Sequence, residues 1–482
     1  MKKIVHFETL GCRLNQDETE GAARCFFEAG YECDMEGVLA SSVVNKDAVL
    51  CVINTCTVTS KAEAKARRLI RLCLQKFPLS CVLVTGCYAE LDGKIIKSIF
   101  PERIAVLKGT QKHILSKIAR LPSESLCSAL ELENFIKEKT LPEIKKLTPV
   151  INDSFTLYTD AFRIHSRPTL KIQDGCSNSC SFCRIHFARG KPVSLGVREV
   201  LRRVLLLEEK NFSEVVLTGI NLSQYAGVFE SGGSQGSDKI FSFSKLLRYL
   251  LENTRRINFR ISSLYPQSIT EEFLEVISNS RVRPFFHLSV QSGSDSVLSQ
   301  MKRPYTSFDV LTAVKKIRSV KNDAFISCDM IAGFPGETEA DFESTIKLCN
   351  ECCFQWIHAF PYSPRPGTEA ALMPNQVSSA QKVLRVKQLT EKAISEKIKY
   401  VSSFIGKKLS CVVEMSRSLR SKKAESDKSD FIYHAVTENY LHVEFKSEKV
   451  IEQGSEVFVC IKECLFDSIQ KQEELDAKAE LI

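Results

Sequence analysis

Asp174-Gly175-Cys176-Ser177-Asn178-Ser179-Cys180-Ser181-Phe182-Cys183 sets three thiols in one short loop, directly after an alternating stretch, Thr169 to Gln173, that reads as a β-strand. Downstream there is no Cys or His partner at knuckle spacing, and His186 stands alone, so zinc is the weaker reading. An iron-sulphur cubane held by three thiolates keeps one iron open to a substrate or cofactor. A four-thiolate cluster is coordinatively full and suited to carrying electrons. Gly175 frees the backbone where it enters the loop.

Outward from this loop the chain alternates strands and helices. Apolar runs at Val215 to Thr218, Asn258 to Ser262, Phe285 to Val290, Phe325 to Ile331 and Trp356 to Phe360 bring the strand count to six, which predicts a parallel barrel or part-barrel. The Gly/Ser run Ser231 to Ser237 reads as a flexible surface insertion. A charged helix from about Ser378 to Ser402 leads out. Short alternating strands at Leu409 to Val413, Phe431 to Ala435, Tyr440 to Phe445 and Ser455 to Ile461 then predict a small all-β barrel, with a polar turn at Arg417 to Asp430.

Upstream, Lys3 to Leu10, Ala48 to Cys56, Cys81 to Cys87 and Ile104 to Leu107 read as strands, and Asp17 to Ala29, Ser60 to Gln75 and Gln111 to Ala119 as helices, an order that predicts an open parallel sheet. The carboxyl ends of parallel strands share one edge, where α/β proteins bind ligands. Cys12, Cys56 and Cys87 each follow such a strand and should converge there. Gly11 and Gly86 precede two of them and permit close approach. Cys51 and Cys81 stand near strand starts and read as small buried hydrophobes, as do Cys349, Cys352 and Cys353 in the apparent helix Asp341 to Phe354.

Composition sets the limits. The 482 residues suggest two to four domains at ~100–200 residues each. No apolar run approaches the ~20 residues that span a bilayer, and His6 and Glu8 interrupt any apolar leader. The protein is therefore expected in the cytoplasm, and in that reducing compartment nineteen cysteines read as metal ligands, nucleophiles or packing rather than disulfides. The net charge of +8 fits a polyanionic partner.

The loop Cys176 to Cys183 resembles the cluster loop of radical S-adenosylmethionine (SAM) enzymes, and Cys12, Cys56 and Cys87 resemble the second-cluster ligands of the methylthiotransferases in that superfamily. Further matches run over nearly the whole chain: Thr9-Leu10-Gly11-Cys12-Arg13-Leu14-Asn15-Gln16, Asn54-Thr55-Cys56, Thr85-Gly86-Cys87, Ala188-Arg189-Gly190, Leu217-Thr218-Gly219-Ile220-Asn221, His287 to Ser294 and Gly333-Phe334-Pro335-Gly336-Glu337-Thr338. The Thr-Leu-Gly-Cys opening is similar to the branch that converts N6-threonylcarbamoyladenosine, at position 37 beside the tRNA anticodon, to its 2-methylthio form. The isopentenyladenosine branch typically has a tryptophan before the glycine. A branch modifying an aspartate of a ribosomal protein is an alternative, and a non-catalytic RNA-binding iron-sulphur sensor is the alternative from another class. The chain departs from the pattern after Cys183, where Arg184, Ile185 and His186 replace two aliphatic residues and a proline.

The resemblance implies an α/β multidomain protein. A flavodoxin-like parallel-sheet domain (1–121) and a connecting segment (122–161, with Pro142 to Pro149 the expected break) precede a partial (β/α)6 radical SAM barrel with its exit helix (162–402) and a TRAM barrel (403–470). It implies two 4Fe-4S clusters, one on Cys176, Cys180 and Cys183 and one on Cys12, Cys56 and Cys87, with S-adenosylmethionine and no side-chain acid or base. Thr218, Gly219, Ser262, Ser263, Gln291, Gly333 and Gly336 would contact the cofactor, although Gly333 to Gly336 also reads as a plain tight turn. Arg189, Lys407, Lys408, Lys422 and Lys423, with Arg417 and Arg420, would meet RNA, and Tyr433 and Phe445 would stack on bases or pack in the core. The implied partners are tRNA, an electron donor such as flavodoxin or ferredoxin, and a sulphur source.

Overall fold

Val5 and Phe7 are buried on one strand, Leu50 to Ile53 on a second and Val82 to Val84 on a third, and sheet pairing is the way to bury runs this apolar while satisfying their backbone. In the computed structural model, which describes residues 3–140, 153–162, 166–230, 239–418 (backbone alone for 415–418) and 431–482, they belong to a five-stranded parallel sheet: β1 (Ile4–Thr9), β2 (Glu32–Asp34), β3 (Ala48–Thr55), β4 (Cys81–Gly86) and β5 (Ile104–Val106). The order β2-β1-β3-β4-β5 is that of a flavodoxin-like fold. Pairing of Thr9 with Asn54 and of Asn54 with Thr85 aligns the carboxyl ends of β1, β3 and β4. Helices α1 (Arg13–Glu28), α2 (Ser60–Lys76) and α3 (Cys87–Lys97) start from that edge. The edge strand β2 and helix α3 add to the expected elements, and the expected helix Gln111 to Ala119 is a 3-10 turn, Gly109–Ile114, running into a short helix, Leu115–Ile118.

The boundary expected at 121 is corrected. Helix Ala129–Thr140 buries Leu132 and Ile136 in the same core as Val5, Phe7 and Leu50, so the amino-terminal unit runs past that point. Pro142 to Pro149 and the Gly/Ser run lie outside the described residues.

Six strands follow: Thr169–Lys171, Glu214–Thr218, Asn258–Ile261, Phe285–Gln291, Phe325–Ala332 and Trp356–Pro361. The first three and the last three form two parallel sheets. Isolated bridges Phe259↔Val282 and Leu264↔Leu288 join them at the third and fourth strands, giving the part-barrel. Cys349 and Cys352 lie in the barrel core on helix Glu339–Cys352, and Cys51 and Cys81 in the sheet cores, in agreement with their reading as packing.

Helix Ser379–Ser402 then leads to a closed five-stranded barrel of Lys408–Ser418, Phe431–Thr437, His442–Ser447, Glu456–Cys464 and Ala477–Leu481. Its fifth strand pairs with both neighbours, so the end expected at 470 is also corrected: without Ala477–Leu481 the barrel has two open edges. Tyr433 and Phe445 face each other inside it, fully buried with ring centroids 5.5 Å apart. They form the barrel core and are not base-stacking platforms.

Candidate active site

At the sheet edge, Cys56 follows β3 directly, Cys87 begins α3, and Cys12 is the N-cap of α1. Two of the three thiols therefore stand at helix N-termini. Cys56 and Cys87 are buried and Cys12 is exposed. Burial pushes the Cys56 thiol up to about 11, so a metal must draw its proton off. The backbone is cut to this purpose. Gly11 has φ of +107°, and a Cβ there would stand 2.6 Å from Cys56 Cβ and 3.0 Å from its Sγ. Asn15 braces the turn, donating to Leu10 O at 2.8 Å and Thr55 O at 3.2 Å.

The second triplet rests on the barrel rim. Gly175, at φ of +74°, lets the loop pass against the Lys191 carbonyl. Gln173 Nε2 ties down Gly175 O at 2.7 Å, and Ser181 Oγ donates to Gln300 O at 2.8 Å. The sulphurs attract donors: Asn178 N to Cys176 Sγ and Ile185 N to Cys183 Sγ, both at 3.4 Å, and Arg303 Nη1 to Cys180 Sγ at 3.2 Å. Donors to cluster sulphurs stabilise the charge of a reduced cluster. Three soft thiols with converging N–H groups at the loop, and three soft thiols with a glycine that leaves room at the sheet edge, fit a cubane at each triplet.

Of the expected cofactor contacts, Thr218 and Gly219 end the second barrel strand beside Gln173, and Ser262, Ser263 and Gln291 end the third and fourth, all on the rim that carries the loop. Ser262 Oγ is buried without a partner, a group free to bind a ligand. Gly333 and Gly336 form a turn closed by Gly333 N donating to Glu337 Oε2 at 2.6 Å, with Arg385 Nη1 on the same oxygen at 2.7 Å.

Arg189 corrects an expectation. Its side chain is 6% exposed and spans the two domains instead of facing RNA. Nε donates to Cys87 Sγ at 3.4 Å, Nη1 to Glu18 Oε1 at 2.8 Å and Asp174 Oδ1 at 3.1 Å, and Nη2 to Asn15 Oδ1 at 2.7 Å and Glu18 Oε2 at 3.3 Å, so no donor is left for a phosphate. Lys112 and Lys171 also pair with Glu18. Burial works to raise the Glu18 carboxyl, but Arg189, Lys112 and Lys171 hold it well below the usual range. Burial, with the Glu18 charge beside it, carries Asp17 up to about 8 against the pull of Lys171 and Arg203. Sequence reasoning missed Arg303, Asn221, Glu18, Lys112 and Lys171. Of these only Asn221 stands in a quoted motif, Leu217 to Asn221, where it was given no role; its Nδ2 lies 3.9 Å from Cys176 Sγ.

Lys407 and Lys408 are exposed on the terminal barrel, Lys408 over the half-exposed ring of Phe458 at 4.3 Å. Arg420, Lys422 and Lys423 lie outside the described residues, as does the Arg417 side chain.

Family comparisons agree with this layout. A profile of the radical SAM superfamily matches residues 170–349, and one of an uncharacterized protein family, UPF0004, matches residues 4–108. The threonylcarbamoyladenosine tRNA methylthiotransferase MtaB of Treponema pallidum is 40% identical, over 93% of this chain and 95% of its own. That of Bacillus subtilis is 34% identical over 92% and 90%. A tRNA-2-methylthio-N(6)-dimethylallyladenosine synthase of Yersinia pseudotuberculosis is 30% identical over 84% and 81%. The cobalamin-bound radical SAM methyltransferase TsrM of Kitasatospora setae shares the fold at a TM-score of 0.50 and 12% identity, over 88% of this chain and 82% of its own. With two cysteine triplets on edges joined through Arg189 and relatives 30–40% identical over most of both chains, the chain belongs to the radical S-adenosylmethionine methylthiotransferase family.

Proposed function

We propose that this protein inserts a methylthio group at C2 of N6-threonylcarbamoyladenosine in tRNA, giving 2-methylthio-N6-threonylcarbamoyladenosine. The observation that carries the reading is the meeting of two three-thiol sites across one domain interface, with Arg189 touching both sides of it. A single triplet starts radicals of any purpose; two facing each other fit sulphur insertion. When bound, the clusters and S-adenosylmethionine supply the electron, the carbon radical and the sulphur, because an aromatic C–H is beyond any side-chain base.

The chain's own residues bind and orient. Cys176, Cys180 and Cys183 hold one cubane, and Cys12, Cys56 and Cys87 the other. Thr218, Gly219, Ser262, Ser263 and Gln291 face S-adenosylmethionine, with Gly333 and Gly336 shaping the rim. Lys407 and Lys408 contact tRNA phosphates. The clusters so held would call for a low-potential electron donor such as flavodoxin or ferredoxin, and the second site for a separate sulphur source. Among the described residues no helix is long and apolar enough to cross a membrane, and we place the enzyme in the cytoplasm with its tRNA.

Mass spectrometry of tRNA nucleosides from a deletion strain tests the substrate. Loss of 2-methylthio-N6-threonylcarbamoyladenosine, with its unthiolated precursor accumulating, is expected. An unchanged level of that nucleoside, or loss of the isopentenyl counterpart in its place, overturns the assignment.

A further inference from the structure

The loop that carries Cys176, Cys180 and Cys183 leaves through a five-residue helix, Ile185–Arg189, with an arginine at either end. Arg189 reaches the Cys12 and Cys87 side of the crevice. Arg184, next to Cys183, reaches the other side: its Nη1 donates to Asp92 Oδ2 at 2.9 Å and to Glu63 Oε1 at 3.2 Å. Asp92 lies at a break in α3, the helix begun by Cys87. Glu63 Oε1 also accepts from Thr57 Oγ1, the residue after Cys56, at 2.5 Å, and from Arg365 in the segment beyond the last barrel strand. Arg365 further donates to Ser60 Oγ at 2.9 Å and Thr57 Oγ1 at 3.1 Å. One carboxylate oxygen thus gathers donors from next to Cys56, from next to Cys183 and from beyond the last barrel strand.

We infer that Arg184 and Glu63 are positioning residues that set the distance and facing of the two cluster sites. This inference rests on reading both triplets as cluster ligands. Arg184 stands where the family pattern has an aliphatic residue, so this chain fixes part of the interface by charge. The pair is sheltered, with side chains 8% and 12% exposed, and bulk salt screens it little. Thr57 and Arg184 are each bonded in sequence to a cluster ligand, so movement of the carboxylate moves two ligands at once. A plain domain clamp would be free to sit anywhere on the interface. This one sits between the ligands.

The test uses the reconstituted holoprotein with tRNA, comparing the chain with Arg184→Leu and Glu63→Gln. The readouts are 5′-deoxyadenosine formed per methylthiolated nucleoside and the magnetic dipolar coupling between the two reduced clusters by pulsed EPR. In both variants the ratio is expected to rise about tenfold or more, since a displacement of ~1 Å costs up to ~100-fold in a reaction between held partners. The coupling should broaden while iron content and tRNA-free cleavage of S-adenosylmethionine hold. Arg184→Lys should restore part of the coupling. A wild-type ratio and dipolar signature in both variants overturns the proposal, as does a loss of product that only tracks lost iron. If the unaltered chain carries fewer than two clusters, the underlying reading fails and this inference with it.

Discussion

Cys176, Cys180 and Cys183 fall on eight consecutive residues, whereas Cys12, Cys56 and Cys87 are gathered across spans of 44 and 31 residues. The first site is made by a loop whose own backbone N–H groups turn in on the sulphurs. The second exists only once three parallel strands are in register, because a slip of one residue turns a strand's side chains to the opposite face. Their charged neighbours differ as well. Arg303, at Cys180, has as its other partners the hydroxyls of Tyr305 (2.6 Å) and Tyr265 (3.1 Å) and the Ser289 carbonyl. Arg189, at Cys87, is matched by Glu18 and Asp174. The compact site faces a cation with neutral partners; the dispersed site faces a balanced ionic network. On the proposed function, the site that starts radicals and the site that holds sulphur have different electrostatic settings.

Removing one thiol from each triplet sharpens the comparison most. Cys180→Ala is expected to abolish both 5′-deoxyadenosine and methylthiolated product. Cys12→Ala should abolish product alone, and each variant should fall from about eight irons per chain to about four. Loss of S-adenosylmethionine cleavage in Cys12→Ala would break the division of labour. The next largest effect separates the arginines. Without the cationic donor, Arg303→Met should lower the potential of the loop-bound cluster and slow cleavage about tenfold, a barrier rise of ~1.4 kcal/mol. Arg189→Met should shift its cluster less, since Glu18 and Asp174 then lose their strongest cation and can take up a proton that restores part of the charge. Potentiometric titration followed by EPR measures both, and an equal shift would refute the contrast. A weaker effect belongs to the RNA that both sites share: Lys407→Ala with Lys408→Ala should reduce the salt slope of tRNA binding by about one per lysine. An unchanged slope would remove these residues from the interface.

The same contrast governs what was legible in the sequence. The compact loop could be read from spacing alone. The dispersed triplet became legible because each cysteine follows an apolar run, so that strand prediction carried the ligands to one edge. Arg189 was misread because Ala188-Arg189-Gly190 does not reveal that Glu18, from a helix in another domain, supplies its counter-charge. Arg184 was noticed as a departure, but its partners Glu63 and Asp92 sit on α2 and α3, and the second of these helices was not foreseen. In the terminal barrel, the period of two that buries Tyr433 with Ala435, and Val443 with Phe445, was present in the sequence and favoured the core over a stacking surface. Ala477–Leu481 escaped notice because alanines leave its alternation weak, although Asp476, just before it, is held by the His442 backbone N–H at 3.0 Å.

The smallest effect tests whether the dispersed site depends on its sheet. His6, on β1, is 1% exposed and places Nδ1 2.8 Å from Asp34 Oδ2 on β2 and Nε2 3.1 Å from Glu8 Oε1, with Cys51 and Cys73 close by. Burial works to lower its pKa, yet the two carboxylates outweigh burial and hold it above the ordinary value of 6.5. A folded pKa above the unfolded one means that this contribution to stability is complete below pH ~6.5 and is lost as pH rises through the folded pKa. His186, beside the compact loop, is pushed down by burial, so it titrates below His6. Raising the pH from 6 through the folded pKa of His6 should therefore lower the melting temperature by a few degrees. Over the same window chelators should strip iron faster from Cys12, Cys56 and Cys87 than from the loop. His6→Gln should flatten both trends by removing the titrating group while keeping a polar side chain between β1 and β2. Equal pH dependence of iron loss from the two triplets would show that the crevice does not depend on the sheet edge for its hold on the metal.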